Sequence, residues 1–402
     1  MRRVGKYSKV KQAVIFCGGA GSRLGSITKK VPKPLIRVID KPFLENIIFQ
    51  YSRFGVEEVV LLCSYKKELF FKKYHKKKLF NCKIFCMYEG AQKGRVLALK
   101  NAENKLNNIF FLSNGDTLLD FNLLDLKENF LKKKLINIGL IKKKTKNKTS
   151  KLNLNKFNNV EFSNTNGKFI NTGYFLVKKK LLKYIKSKDL NLSFEEDFIS
   201  SLNKNLVSGV DLKAKNFIDI GIPQTLAEAK KILKKFYNKS AIFLDRDGVI
   251  NEDKGYVYKY KDINYINNIF EAVRFANHKN FYVFVISNQS GIGRGYYSKQ
   301  DVNLLNSKIL EDFRKRKANI DEMIYAPYYK NSKHKFTMRD KKMRKPETGM
   351  IDYLFKKWPI IKSNSIIVGD QDTDKLLAKK TRLKFIFMKK KSDLYLKLKK
   401  II

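Results

Sequence analysis

Short apolar runs alternate with longer amphipathic stretches over the first half of the chain. Gln12–Cys17, Glu58–Cys63, Cys82–Met87 and Ile109–Leu112 are each four to six residues long. Runs of that length, bounded by Gly, Asn and Ser, predict buried strands. Between them, Phe43–Phe54, Leu69–Lys78 and Val96–Leu106 repeat apolar positions at helical spacing, the second carrying a basic, solvated face. Strands and helices in alternation predict a doubly wound α/β sheet. The segment Lys142–Lys168 is rich in Lys, Asn, Ser and Thr with little periodicity and reads as a loop. Pro223–Tyr237 opens on proline and reads as a closing helix. A second set of apolar runs follows at Ala241–Leu244, Phe281–Ile286 and Ile366–Val368, with a helix expected over Glu347–Lys357. The boundary falls at Asn238, giving domains 1–238 and 239–402, and no internal repeat links them.

Composition narrows the function classes. The 402 residues are 43% hydrophobic, enough for sizeable cores, and carry a formal charge of +48. Lys and Asn are spread along the whole chain among many Ile, Phe and Tyr, so the charge is a compositional bias and not one basic groove. No specific nucleic-acid partner is expected; anionic small molecules such as nucleotides and sugar phosphates suit the charge. Cys17, Cys63, Cys82 and Cys86 form no C-x-x-C, and only three histidines exist, so no zinc is expected and the thiols read as reduced, in a cytoplasmic protein. The basic N-terminus is followed by too short an apolar run for a signal peptide. No run approaches the ~20 residues of a membrane span, so no membrane is expected. A homo-oligomer is compatible with all of this.

The densest chemistry begins at Asp245-Arg-Asp247-Gly248, at the end of an apolar strand. Two like charges that close repel unless a cation or proton lies between them, and Gly248 lets the backbone turn away. Downstream follow Ser287-Asn-Gln-Ser-Gly-Ile-Gly-Arg294, Arg344-Lys345-Pro346 and Gly369-Asp370-Gln-Asp-Thr-Asp374. The order D-x-D, S, K-P, G-D over about residues 240–390 resembles the haloacid dehalogenase superfamily of phosphatases, and within it the heptose bisphosphate and histidinol-phosphate phosphatases. The resemblance implies Asp245 as nucleophile and Asp247 as general acid and base. Ser287 and Lys345 would hold the phosphoryl group, and Mg²⁺ would sit on Asp245, Asp370 and the Asp247 carbonyl. Asn288, Arg294 and Arg344 would contact substrate. Asp374 supports Lys345 or the metal, or only begins a helix. Relatives often carry a Cys/His zinc loop before R-K-P; here Tyr325–Arg344 has no cysteine, and Lys330–Lys345 could instead clamp a distal phosphate.

Near the start, Gly18-Gly19-Ala-Gly21-Ser22-Arg23-Leu24 follows the first strand, and Val31-Pro-Lys33-Pro-Leu35 holds a lysine between two prolines. Glycines there leave backbone N–H groups open to a phosphate. Together the two segments resemble the sugar-1-phosphate nucleotidyltransferases. That resemblance implies nucleoside triphosphate contacts at Gly18, Gly19, Gly21, Ser22 and Arg23, and a phosphate on Lys33. It further implies Mg²⁺ on Asp116 and Asp219, which lie about a hundred residues apart, and sugar contacts at Asn171, Gly173 and Glu195. Glu195–Asp197 reads equally as the acidic first turn of a helix. The P-K-P, S-F-E-E-D and F-I-D-I-G-I-P segments look most similar to enzymes acting on heptose 1-phosphate. Where that family carries small residues, this chain has Gly94-Arg95-Val96-Leu97-Ala98, which leaves the base open. The expected fold class is α/β in two domains: a Rossmann-like mixed-sheet nucleotidyltransferase fold, then a haloacid dehalogenase-like Rossmannoid parallel sheet. The expected function is bifunctional. The phosphatase would remove the 7-phosphate of heptose 1,7-bisphosphate. The first domain would then couple the 1-phosphate to an NTP, read as GTP; the alternative keeps both chemistries on other sugars or phosphate esters, or leaves the first domain a nucleotide binder without turnover.

Overall fold

The computed structural model describes residues 10–402 except 91–93, 129, 131–132, 143–151, 163–166, 187–191, 215, 333–335, 337 and 390–391. These form two compact units, divided between Leu233 and Lys234. The helix Pro223–Tyr237 runs through the division, and Asn238 alone separates it from the strand Lys239–Leu244.

In the first unit the strand Gln12–Phe16 is wholly buried, apolar from Ala13 onward as a strand covered on both faces requires, with the Gln12 amide hydrogen-bonded to Glu58 and the Lys105 carbonyl. It lies between Glu58–Cys63 and Ile109–Asn114, parallel to both, and Cys82–Tyr88 extends the sheet in parallel beyond Glu58–Cys63. On the other side, Phe169–Lys178 runs antiparallel to Ile109–Asn114 and to Ile136–Lys142, which Val207–Asp211 joins in parallel. The sheet is therefore mixed. The helix Phe43–Arg53 buries Phe43, Leu44, Ile47 and Ile48 on one flank. The core continues through Val14, Val60, Leu112, Phe175, Phe194 and Phe198.

Two expectations are corrected. The basic helix is Lys67–Tyr74, ending four residues early because Lys78–Leu79 pairs with the strand Cys82–Tyr88. The stretch read as a loop holds two strands, Leu152–Leu154 and Val160–Phe162, hydrogen-bonded to one another; each is three residues long, too short to show a period. Residues 143–151 and 163–166 of that stretch lie outside the described residues.

The second unit is a parallel five-stranded sheet. Lys239–Leu244 is central, between Tyr282–Asn288 and Ile360–Gly369, with Glu322–Ala326 and Lys384–Phe387 at the edges. Ile242, Leu244, Val283, Val285, Ile366 and Val368 form the core with Ile269 and Val273 of the helix Ile269–His278. Trp358, the only tryptophan of the chain, is 8% exposed and packs edge-on against Tyr282 and Phe284 at 5.2 and 5.3 Å. The four cysteines are free and buried, all in the first unit. Among the described residues no helix is long and apolar enough to cross a membrane.

Candidate active sites

In the first unit the loop after Gln12–Phe16 turns on Gly21, at φ 67°. A Cβ there would press Thr28 and Lys33, at 3.0 and 3.3 Å, and the Thr28 hydroxyl ties the turn by donating to the Gly21 carbonyl at 3.1 Å. Gly19, Ser22 and Arg23 are exposed on this loop. Lys33 is buried, and its ammonium lies 2.8 Å from Asp116 Oδ2. Asp116 follows Gly115, whose N–H donates to the Phe16 carbonyl at 2.9 Å.

Asp219 arrives by a short antiparallel ladder in which it faces Thr117, and Ile220 N–H donates to the Asp116 carbonyl at 3.1 Å. Two carboxylates a hundred residues apart in sequence are thus neighbours. Burial raises the Asp219 pKa, and the charge of Asp116 adds to the rise, against the pull of Lys33 and Arg23. Two adjacent carboxylates with the Thr117 hydroxyl on Asp116 form a hard-oxygen donor set that fits a divalent cation.

A cavity of about 890 Å³ opens beside them, lined by Asp219, Asn171, Gly173, Arg95 and Glu195 among others. The Asn-Thr-Gly segment bends at a register shift in the Phe169–Lys178 strand. Gly173 sits there at φ 73°, where a Cβ would come 2.5 Å from the Asn114 amide nitrogen. The Asn171 side-chain oxygen accepts from Gly173 N–H at 2.9 Å, so this asparagine braces the bulge as well as lining the cavity.

The second site stands at the strand ends of the other unit. Asp245 is 8% exposed, and its Oδ2 lies 2.7 Å from Lys345 Nζ; Asp374 Oδ1 is the same distance from that ammonium. Lys345 and Asp374 are buried. Burial opposes the lysine's charge, but the two carboxylates outweigh it and raise its pKa. Burial raises the Asp245 pKa, Asp374 adds to the rise, and Lys345 resists it.

Carboxylate oxygens of Asp245, Asp370 and Asp374 all lie within 4.8 Å of one another. Asp370 Oδ1 is buried with no hydrogen-bond partner, and a Cβ on Gly248 would stand 2.1 Å from Asp370 Oδ2. An orphaned oxygen in a cradle that only glycine leaves open fits a divalent cation. The helix Asp372–Thr381 explains why Asp374 reads two ways in sequence. Its Oδ2 accepts from Gln371 N–H at 3.3 Å, as a helix cap, while Oδ1 serves Lys345.

Asp247 is held apart from that cluster. Its carboxylate accepts from Arg246 (2.9 Å), Asn251 (2.9 Å) and Gln289 (3.0 Å). The same Gln289 nitrogen donates to Ser287 Oγ at 2.8 Å, and Gln289 Oε1 accepts from Arg246 and from the Tyr297 hydroxyl. Asn288, expected on substrate, has another place. Its amide nitrogen donates to the Lys345 carbonyl at 3.1 Å and its oxygen accepts from Lys345 N–H at 3.0 Å. Both ends of the amide are committed, so Asn288 sets the lysine's backbone. The Lys345–Pro346 bond is cis. Arg294 lies over the Tyr329 ring at 3.7 Å, and Arg344 donates to the Tyr328 carbonyl at 3.2 Å. Burial lowers the Arg344 pKa, and the charge of Arg294 lowers it further.

Comparison with known proteins fits both geometries. The family described as nucleotidyl transferase matches residues 12–235, over half of the chain, and that described as polynucleotide kinase 3 phosphatase matches residues 241–393. A D-glycero-alpha-D-manno-heptose 1-phosphate guanylyltransferase of Campylobacter jejuni is 33% identical over 219 residues, 53% of this chain and 96% of that protein. A D-glycero-alpha-D-manno-heptose-1,7-bisphosphate 7-phosphatase of the same organism is 38% identical over 134 residues, 33% of this chain and 73% of that protein. A beta-heptose 7-phosphatase of Rhodopseudomonas palustris is 36% identical over 141 residues, 35% and 78% of the two chains. The chain belongs to the nucleotidyl transferases and, in its second part, to the heptose bisphosphate phosphatases. It is an enzyme of two activities, nucleotidyl transfer and phosphomonoester hydrolysis.

Two residues of the nucleotidyl transferase part have places that its motifs do not give, one of them unmarked in sequence and one marked only as a departure from the family pattern. Glu89 follows the strand Cys82–Tyr88, and its carboxylate covers Gly18, lying 1.4 Å from where a Cβ would stand. Burial pushes its pKa up to about 7, against the pull of Arg95. A lone Glu after a strand carries no local signal; only the fold brings it to the glycine loop. The other is Arg95. Of the three bulky residues in the Gly94–Ala98 segment, Val96 is buried in the core, Leu97 is half-buried, and Arg95 faces the cavity.

Proposed function

We propose that the chain catalyses two consecutive steps of heptose nucleotide synthesis. The phosphatase part removes the 7-phosphate of a D-glycero-D-manno-heptose 1,7-bisphosphate, and the nucleotidyl transferase part joins the resulting 1-phosphate to GTP, releasing pyrophosphate. One observation carries the reading: the two halves of this single chain match two separate Campylobacter jejuni enzymes, one named for removing the 7-phosphate and one for using the 1-phosphate. One site's product is the other's acceptor. A cytoplasmic setting supplies the triphosphate.

In the phosphatase part, Asp245 attacks phosphorus and displaces the sugar 7-oxygen, which takes a proton from Asp247. Asp247 then removes a proton from water, which hydrolyses the aspartyl phosphate. Lys345 and Ser287 neutralise and orient the phosphoryl oxygens. Asp374 and Asn288 keep Lys345 in place from its two ends, and Gln289 ties Ser287 to Asp247. Arg294 and Arg344 are the cations available to the distal 1-phosphate. Arg344 is the described cation of the Lys330–Lys345 segment that the Tyr328 carbonyl holds, and residues 333–335 and 337 of that segment lie outside the described ones.

In the nucleotidyl transferase part, the sugar 1-phosphate oxygen attacks the α-phosphorus and pyrophosphate departs without a covalent enzyme intermediate. The Gly18–Arg23 loop and Lys33 position the triphosphate. Asn171, Gly173 and Glu195 face the sugar. Glu89 favours guanine, whose adjacent N–H donors a carboxylate accepts, whereas adenine and the pyrimidines present a different pattern. Mg²⁺ held by Asp116 and Asp219, and by Asp245 and Asp370 with the Asp247 carbonyl, would supply charge neutralisation on phosphate oxygens.

The test is release of phosphate and pyrophosphate from both anomers of heptose 1,7-bisphosphate with each NTP in turn. Phosphate first, then pyrophosphate with GTP, is expected. Asp245→Asn should abolish the first signal and Asp116→Asn only the second. Removal of the 1-phosphate instead of the 7-phosphate would overturn the sequence of steps.

A further inference from the structure

The first helical residue after Gly94 is an arginine in a segment where the family carries small side chains, and it does not point at random. Arg95 Nη1 lies 2.7 Å from Glu195 Oε1. The guanidinium also lies over the Phe16 ring at 5.6 Å. Phe16 packs against Phe194 at 5.6 Å, and Phe194 is the residue immediately before Glu195. The ion pair is therefore braced from beneath by an aromatic pair rooted in the core. Both charged side chains line the cavity that also holds Asn171, Gly173 and Asp219. The Glu195 side chain is only 19% exposed, so its charge needs a partner, and Arg95 is that partner. A fixed, ionised carboxylate is a better acceptor for paired sugar hydroxyls than one free to turn.

We propose that Arg95 is a positioning residue for the sugar, holding Glu195 as an oriented carboxylate acceptor for the hydroxyls of the sugar 1-phosphate. The inference rests on the sugar-nucleotide reading above and deepens it. Arg95 acts on the sugar through Glu195, while the triphosphate is held by the Gly18–Arg23 loop and Lys33.

The experiment is a steady-state comparison of the full chain and its variants by pyrophosphate release, varying heptose 1-phosphate and GTP separately. In a Glu89→Gln background, which removes the carboxylate whose pKa Arg95 also lowers, Arg95→Ala should raise KM for the sugar phosphate by roughly tenfold, with KM for GTP within about twofold. Arg95→Lys should recover part of the loss. Arg95→Ala added to Glu195→Ala should cost nothing further, since one residue acts through the other. An unchanged sugar KM, an equal rise in KM for GTP, or additive losses would each overturn the proposal. If the wild type releases no pyrophosphate from heptose 1-phosphate with any NTP, the substrate reading fails. The pairing is then decided by calorimetric titration of wild type and Arg95→Ala with a panel of sugar 1-phosphates. Weaker binding of whichever sugar the wild type holds supports it; equal affinity, or no binding by either protein, overturns it.

Discussion

Asp374→Asn should destabilise the second unit without disturbing the helix that carries it. Asparagine offers one acceptor oxygen where Asp374 uses two; with that oxygen on the helix cap, its amide nitrogen faces Lys345. At an effective dielectric constant of about 20, the attraction between Asp374 and Lys345 at 2.7 Å amounts to roughly 6 kcal/mol. The same substitution relieves the repulsions of Asp374 with Asp245 and with Asp370, whose oxygens lie within 4.8 Å, by roughly 3.5 kcal/mol each. The charge terms leave about 1 kcal/mol in favour of asparagine, and the lost hydrogen bond to a charged group costs roughly 2 kcal/mol, so the net loss is about 1 kcal/mol. For a unit of this size that lowers the melting midpoint by about 2–4 °C. Trp358 reports the second unit alone, so fluorescence against temperature, in EDTA to keep cations off the carboxylates, reads the effect directly. A midpoint within about 1 °C of wild type would refute the charge accounting around Lys345.

Three other outcomes follow from the same contacts. Gly248→Ala places a Cβ 2.1 Å from Asp370 Oδ2 at a residue with φ 84°; phosphate release from the bisphosphate should fall roughly 10- to 100-fold while pyrophosphate release from added heptose 1-phosphate persists, and a parallel loss of both would point to misfolding. Gln289→Leu unties Ser287 from Asp247 and should lower kcat for phosphate release by roughly tenfold to a hundredfold; a change under twofold in single turnovers would remove Gln289 from the mechanism. For Glu89, raised to about 7 by burial, the carboxylate is lost as pH falls through that value. KM for GTP should therefore fall as pH rises from about 6 to 8, and Glu89→Gln should flatten this dependence.

How much of this was legible in the sequence differs between the two units. Strand-end motifs such as Asp245-Arg-Asp247-Gly248 and Gly369-Asp370 show themselves because a buried apolar run, a turn glycine and a carboxylate follow one another directly. Lys345 was visible beside its proline. Its anchor Asn288 was not, since an amide that braces a backbone and one that meets a substrate look the same in sequence. Asp116 and Asp219 were a pair by resemblance alone, and the ladder from Thr117 to Asp219 supplies the physical reason. The strands Leu152–Leu154 and Val160–Phe162 are held by tertiary pairing and not by local pattern. Glu89 stayed hidden for a further reason: it acts on Gly18, far from it in the chain, and nothing nearby marks it, whereas Arg95 showed only as a bulky departure whose partner Glu195 needed the fold.

The burial of all four thiols in one unit makes the protein its own clock. Burial raises the pKa values of Cys17 and Cys63, and that of Cys82 to about 12, so these three offer no appreciable thiolate while the sheet is closed. Alkylation must then wait for local opening, and its rate under fast reclosing measures the free energy of that opening, strand by strand. Cys17 borders the glycine loop, and Cys63 and Cys86 lie on the next two strands. A triphosphate that holds the loop should slow the labelling of Cys17 more than that of Cys82, which turns nucleotide occupancy into a pattern of protected masses.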